Sequence, residues 1–60
     1  MKYLVIIRND KIGEILQKEF ISWYYRNIFE DALVWCDQVN EDHAGYGEFE
    51  LVSITRIATM

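Results

Sequence analysis

One cysteine and one histidine, Cys36 and His43, are the residues best suited to nucleophilic chemistry, and they lie seven positions apart. On a helix that spacing is two turns, so His43 sits too far along the axis to act as the activating neighbour a thiolate needs. Cys36 falls among apolar residues, where a free cysteine is usually a small core hydrophobe, and a histidine in the last helical turn favourably meets the helix dipole. Neither is read as catalytic. Asp37, Glu41 and Asp42 are close enough along the chain to suggest a cation site, but carboxylates at helical spacing more often form a solvated face, so no metal or cofactor is expected. The aromatic run Trp23-Tyr24-Tyr25, flanked by Lys18 and Arg26, suits base stacking on a single-stranded nucleic acid. The competing reading is sheet core, because successive strand residues face opposite sides.

Charge weighs against the nucleic-acid reading. From Arg26 to Arg56 there is no lysine or arginine, yet Glu30, Asp31, Asp37, Glu41, Asp42, Glu48 and Glu50 fall between them. The first 26 residues instead hold five bases (Lys2, Arg8, Lys11, Lys18, Arg26) against three acids (Asp10, Glu14, Glu19), and the whole chain carries −4. Phosphate contacts need clustered Lys and Arg, so this asymmetry fits a protein that meets a basic partner and makes no direct nucleic-acid contact.

Sixty residues suffice for one small domain, near the lower limit at which a core holds without metal or disulfide. With 52% hydrophobic residues and no proline, the composition is that of a folded chain. A lone cysteine cannot form an internal disulfide, which favours a reducing compartment such as a cytoplasm. The Leu4-Val5-Ile6-Ile7 run, followed at once by Arg8-Asn9-Asp10, is too short for a signal-peptide core or a membrane span, and no membrane role is expected.

The elements that must position these residues follow from patterning. Residues 2–8 are a β-branched apolar run of strand length, ended by the turn formers Asn9-Asp10-Lys11-Ile12-Gly13. A second strand is expected over about 18–26, with residues 9–17 a wide loop. Asn27-Ile28-Phe29-Glu30 reads as a capping box that starts a helix, with Glu30 and Asp31 a negative first turn. Residues placed at about 100° intervals put Phe29, Ala32, Leu33, Cys36, Asn40 and His43 on one stripe, with Ile28, Trp35 and Val39 along its edge. Gly45 is the expected left-handed cap, and a third strand is expected over about 48–58. The fold class is therefore α+β: a three-stranded antiparallel sheet with one helix on one face, in the order β-β-α-β.

One helix covers one sheet face only. The other is expected to be apolar and aromatic, bearing Trp23 and Tyr25, and to drive self-association or partner binding unless the 9–17 loop folds over it. On the helix, Trp35 sits at the margin of the apolar stripe beside Asp31, Gln38 and Asp42, which suits either a binding anchor or the closure of the core edge. Asn40, polar within the stripe, either satisfies a backbone group or marks where the stripe leaves the core for a partner.

A β-branched first strand after Met1, the Lys18-Glu19 pair, an Asx residue at Asn27, Ala32 within the helix and Val39-Asn40 near its end occur together in a chain of this length. Across its whole length the chain thereby resembles the Dmd antitoxins of T-even-like bacteriophages. The resemblance implies a protein without catalysis of its own that binds a host RNase toxin in the host cell cytoplasm and stops it from degrading phage messenger RNA; Asn40 then becomes a contact candidate. Asp31 departs from the pattern, since the family's tryptophan before the alanine is replaced by Trp35 one turn on. The surface around Asp31, Trp35, Asn40 and Asp42 is the expected face toward a basic, RNA-binding groove. Two other readings stand beside it: a small phage inhibitor of another host enzyme, such as RNA polymerase or a CRISPR effector, and a structural homo-oligomer.

Overall fold

A computed structural model describes residues 1–58. Three strands, β1 (Lys2–Asn9), β2 (Glu14–Ile21) and β3 (Glu50–Ala58), form one antiparallel sheet in the order β2-β1-β3, and a single helix, α1 (Tyr25–Asp42), packs on one face. This is the expected β-β-α-β order.

The hairpin departs from expectation. Asp10, Lys11, Ile12 and Gly13 close a tight turn, with Gly13 in the left-handed region at φ +67°, so β2 begins at Glu14 and the 9–17 segment is neither a wide loop nor a cover for the open face. The pairing then runs without a break from Asn9↔Glu14 to Lys2↔Ile21. Ser22 ends the strand: its N–H donates to the Met1 carbonyl (3.0 Å), while its hydroxyl accepts from the Tyr24 N–H (3.3 Å), a local turn that swings the chain out of the sheet. Trp23, Tyr24 and Tyr25 therefore lie beyond β2 rather than within it.

The helix accordingly starts two residues before Asn27. Tyr24 is its extended N-terminal flank (φ −125°, ψ 132°) and no side chain caps the end. Asn27 lies inside the first turn with its own N–H bonded to the Tyr24 carbonyl (3.2 Å), so the Asn27/Glu30 capping box does not form, and Glu30 and Asp31 fall in the second turn. What anchors the start is packing: Ile28 is fully buried and the Tyr25 ring meets Tyr3 edge-on with centroids 6.2 Å apart. At the other end His43 flanks the helix, and Gly45 and Gly47 both adopt positive φ.

Alternation on β1 fixes the core. Tyr3, Val5, Ile7 and Asn9 share one face and are buried, the first three meeting Ile28, Ala32, Cys36 and Val39 of α1, with Phe49 filling the space ahead of β3. The buried helical stripe is thus rotated toward the Ile28–Val39 edge, leaving Phe29 and Leu33 more than two-fifths exposed. Phe49 packs in the core with its backbone bonded to Asn40, at the far end of that flank from Phe29. On β3 the register shifts between Ile6 and Ile7, so Leu51 and Ile54 both pack against the core and the strict alternation expected of that strand fails.

The second face of the sheet is uncovered, as one helix requires, but it is not aromatic. Leu4 and Ile6 are half-buried at its centre, ringed by Lys2, Arg8, Gln17, Glu19, Ser53 and Thr55, with Ile15 and Ile21 at the margin. Lys2 and Glu19 form an ion pair across it (3.3 Å), and Arg8 pairs with Asp10 (2.8 Å).

Candidate interaction surface

The helix lies over β1 and β3 and leaves the inner side of β2 open. Between them runs a groove of about 310 Å³ lined by Lys18 and Phe20 from β2 and by Asp31, Val34, Trp35 and Gln38 from α1. Phe20 and Trp35 meet edge to face, centroids 6.0 Å apart at 64°, and form the aromatic floor. Lys18 Nζ lies over both rings, 5.2 Å from the Phe20 centroid and 5.9 Å from that of Trp35. Helical spacing places Asp31, Trp35, Gln38 and Asp42 along one side of α1, with the groove lined as far as Gln38.

The six residues singled out in the sequence sort into three places. Asp31 and Trp35 share the groove, and Asp42 lies beyond its lining on the same side of α1. Asn40 lies on the other flank with its amide fully engaged: its Oδ1 accepts from the Phe49 N–H (2.6 Å) and its Nδ2 donates to the Phe49 carbonyl (3.2 Å), pinning the entry to β3. Trp23 and Tyr25 stand at the corner between β2 and α1, 71% and 55% exposed. Lys18, Phe20, Val34 and Gln38 complete the groove; the sequence points to Lys18 only as a flank of the aromatic run and to Gln38 only as a neighbour of Trp35, and to Phe20 and Val34 not at all as a site. The signal for the β2 pair was the Asp10–Gly13 turn chemistry, which puts Leu16, Lys18 and Phe20 on the helix-facing side of a strand starting at Glu14.

The seven carboxylates of the base-free stretch are all exposed. Among the described residues the ion pairs are Lys2–Glu19 and Arg8–Asp10, so none of the seven has a cationic partner within the fold. Nor do those at the ends of α1 serve its dipole. The first turn holds no acid and the last turn no base, while Glu41 and Asp42 sit at the end where the dipole is negative.

The thiol is arranged as a structural donor. Cys36 is buried, its Sγ donates to the Phe49 carbonyl (3.2 Å), and burial, reinforced by Asp37, Glu50 and Glu48, raises its pKa above the ordinary 9.0. A nucleophilic cysteine needs the opposite shift. His43 turns its Nδ1 to the Val39 carbonyl (2.9 Å) and its ring edge-on to Phe49 (5.7 Å), away from any role as base to the thiol. Among the described residues no three His, Cys, Asp or Glu side chains are grouped so as to hold a metal ion, and no helix is long and apolar enough to cross a membrane.

Comparison with protein-family models, curated proteins and solved structures finds no match.

Proposed function

We propose that this protein is a non-enzymatic antitoxin that docks its acidic helix surface on the basic groove of a host RNase toxin, in the host cell cytoplasm, and thereby keeps RNA, including phage messenger RNA, from the enzyme. The observation that carries this reading is the set of seven exposed carboxylates without cationic partners among the described residues, one of which, Asp31, lines a groove with an aromatic floor. Acids that neither pair internally nor complement the helix dipole cost stability where they stand, and an RNase must present a basic RNA-binding groove to which such a surface is complementary. Trp35 supplies the anchor that electrostatics alone lacks, because steering charge raises the association rate while a desolvated aromatic slows dissociation. The resemblance to the Dmd antitoxins gives the reading its target class.

The test is toxin-dependent cleavage of RNA with increasing amounts of this protein, across the RNase toxins of the host. Stoichiometric suppression of cleavage by one of them is the expected result. Undiminished cleavage by every toxin at excess protein would remove the antitoxin reading and leave inhibition of another host enzyme by the same acidic face.

A further inference from the structure

The two edges of the sheet are not alike. The β3 edge is interrupted by two register shifts, at Lys2/Tyr3 and Ile6/Ile7, and bulges of this kind blunt an edge against pairing. The β2 edge has no shift over its eight residues and no proline, and its helix-facing side opens into the groove. The free backbone groups on that edge can be assigned. Ser22 N–H bonds to Met1 O, so the pairs Met1/Ser22, Tyr3/Phe20, Val5/Lys18, Ile7/Leu16 and Asn9/Glu14 exchange hydrogen bonds across β1 and β2, and Ile15, Gln17, Glu19 and Ile21 direct their N–H and C=O groups outward.

We infer that this edge and groove together bind an extended, arginine-bearing segment of a protein partner, added beside β2 as a fourth strand. Main-chain bonds to Ile15, Gln17 and Glu19 hold the segment, and every second side chain of the added strand enters the groove. Charge complementarity fixes which side chain. The helical wall presents Asp31 beside Trp35 in the groove floored by Phe20 and Trp35, a setting for a planar cation that stacks on a ring while its fork meets a carboxylate. Lys18 shows that the floor accepts a cation, since its ammonium already lies over both rings; a guanidinium, flatter and less hydrated, displaces it from Trp35. This inference rests on the proposed binding role and specifies which part of a basic partner is gripped.

The probes are an acetylated, amidated ten-residue peptide of alternating threonine and valine with a central arginine, and the same peptide with glutamate in its place, titrated into the labelled protein by NMR. Saturable shifts are expected at the amides of Ile15, Gln17 and Glu19 and at the Trp35 indole, with the arginine peptide binding at least about ten-fold tighter than the glutamate peptide. Gln17→Pro removes an outward N–H without breaking a bond to β1, a place where an edge strand tolerates proline; it should abolish the shifts while Gln17→Ala keeps them. Unmoved edge amides at about 5 mM arginine peptide, equal binding of the two peptides, or a dilution-sensitive dimer of this chain that perturbs the same amides would each overturn the inference. The wild-type titration stands whether or not Gln17→Pro folds. The RNA-cleavage assay separates the two levels of the argument. Full inhibition of a toxin by folded Gln17→Pro overturns strand addition and leaves the antitoxin reading intact, whereas peptide binding without inhibition of any toxin supports the groove and counts against the RNase target.

Discussion

Three polar or small residues hold the parts of this chain that secondary structure does not. Asn9 is fully buried at the end of β1; its Oδ1 accepts from the Lys11 N–H (3.0 Å) and its Nδ2 donates to the Tyr46 carbonyl (3.1 Å), tying the hairpin turn to the segment after the helix. Gly47 lies against this junction at φ +93°, and a Cβ there would come within 2.9 Å of Lys11 Cβ and 3.0 Å of Asn9 Oδ1. Gly45 has a similar φ of +95° with open space around it, so the pair separates backbone strain from steric overlap. Gly45→Ala should cost about 1 kcal/mol and Gly47→Ala up to about 3 kcal/mol. Urea midpoints check this, and equal losses would mean that the contact at Gly47 relaxes freely. At Cys36 the folded state favours the neutral thiol, so its contribution is complete below the unfolded thiol range and is lost as pH rises through the raised folded pKa. Wild-type stability should therefore fall relative to Cys36→Ala as pH climbs above the ordinary 9.0, and parallel pH profiles for the two proteins would contradict the thiol's role.

At the scale of elements, β1, the helix and β3 were legible because each is a long, strongly patterned run, whereas β2 was displaced by about four residues. The reason is a contest between two signals. The aromatic run after Phe20 has high strand propensity, but the Asp10–Gly13 turn sets the register from the other end, and Ser22 turns the chain out before the aromatics can pair. The same displacement moved the helix start and emptied the capping box at Asn27. Groove residues Lys18 and Phe20 were hidden by this slip, while Asp31 and Trp35 were legible because a wheel needs no exact start. Asn40 was recognisable as polar within the stripe, but which backbone it bonds depends on the path of residues 43–49, which periodicity does not give. Two predictions follow from the helix as it stands. Asn27→Ala should change stability by less than about 0.5 kcal/mol, since an exposed first-turn side chain without a cap bond has little to lose. Asp42→Lys should stabilise by about 0.5 kcal/mol by matching the dipole at the last turn. Thermal unfolding measures both; a loss near 1 kcal/mol for Asn27→Ala would restore the capping role.

At the scale of the whole molecule, the dipole argument becomes a test of function. A domain of 60 residues has little stability to spare, yet the seven acids of its base-free stretch have no cationic partner among the described residues. If they meet a basic groove, the charges and the anchor must affect binding through different rate constants. Asp31→Lys with Asp42→Lys reverses charge along this side of the helix and should slow association and flatten its dependence on salt. Trp35→Ala should act on the other rate: association stays close to wild type, dissociation quickens, and affinity falls by at least about 2 kcal/mol. Phe20 loses its edge-to-face partner in that variant, so Trp35→Phe is the companion that keeps an aromatic floor and should recover part of the loss. Stopped-flow binding to an inhibited toxin at several salt concentrations resolves the two rates. Because Asp42→Lys is expected to raise stability while the double lysine variant weakens binding, the two properties should move in opposite directions, and a charge-reversed protein that is both less stable and still a tight binder would show that the acids belong to the fold and not to the interface.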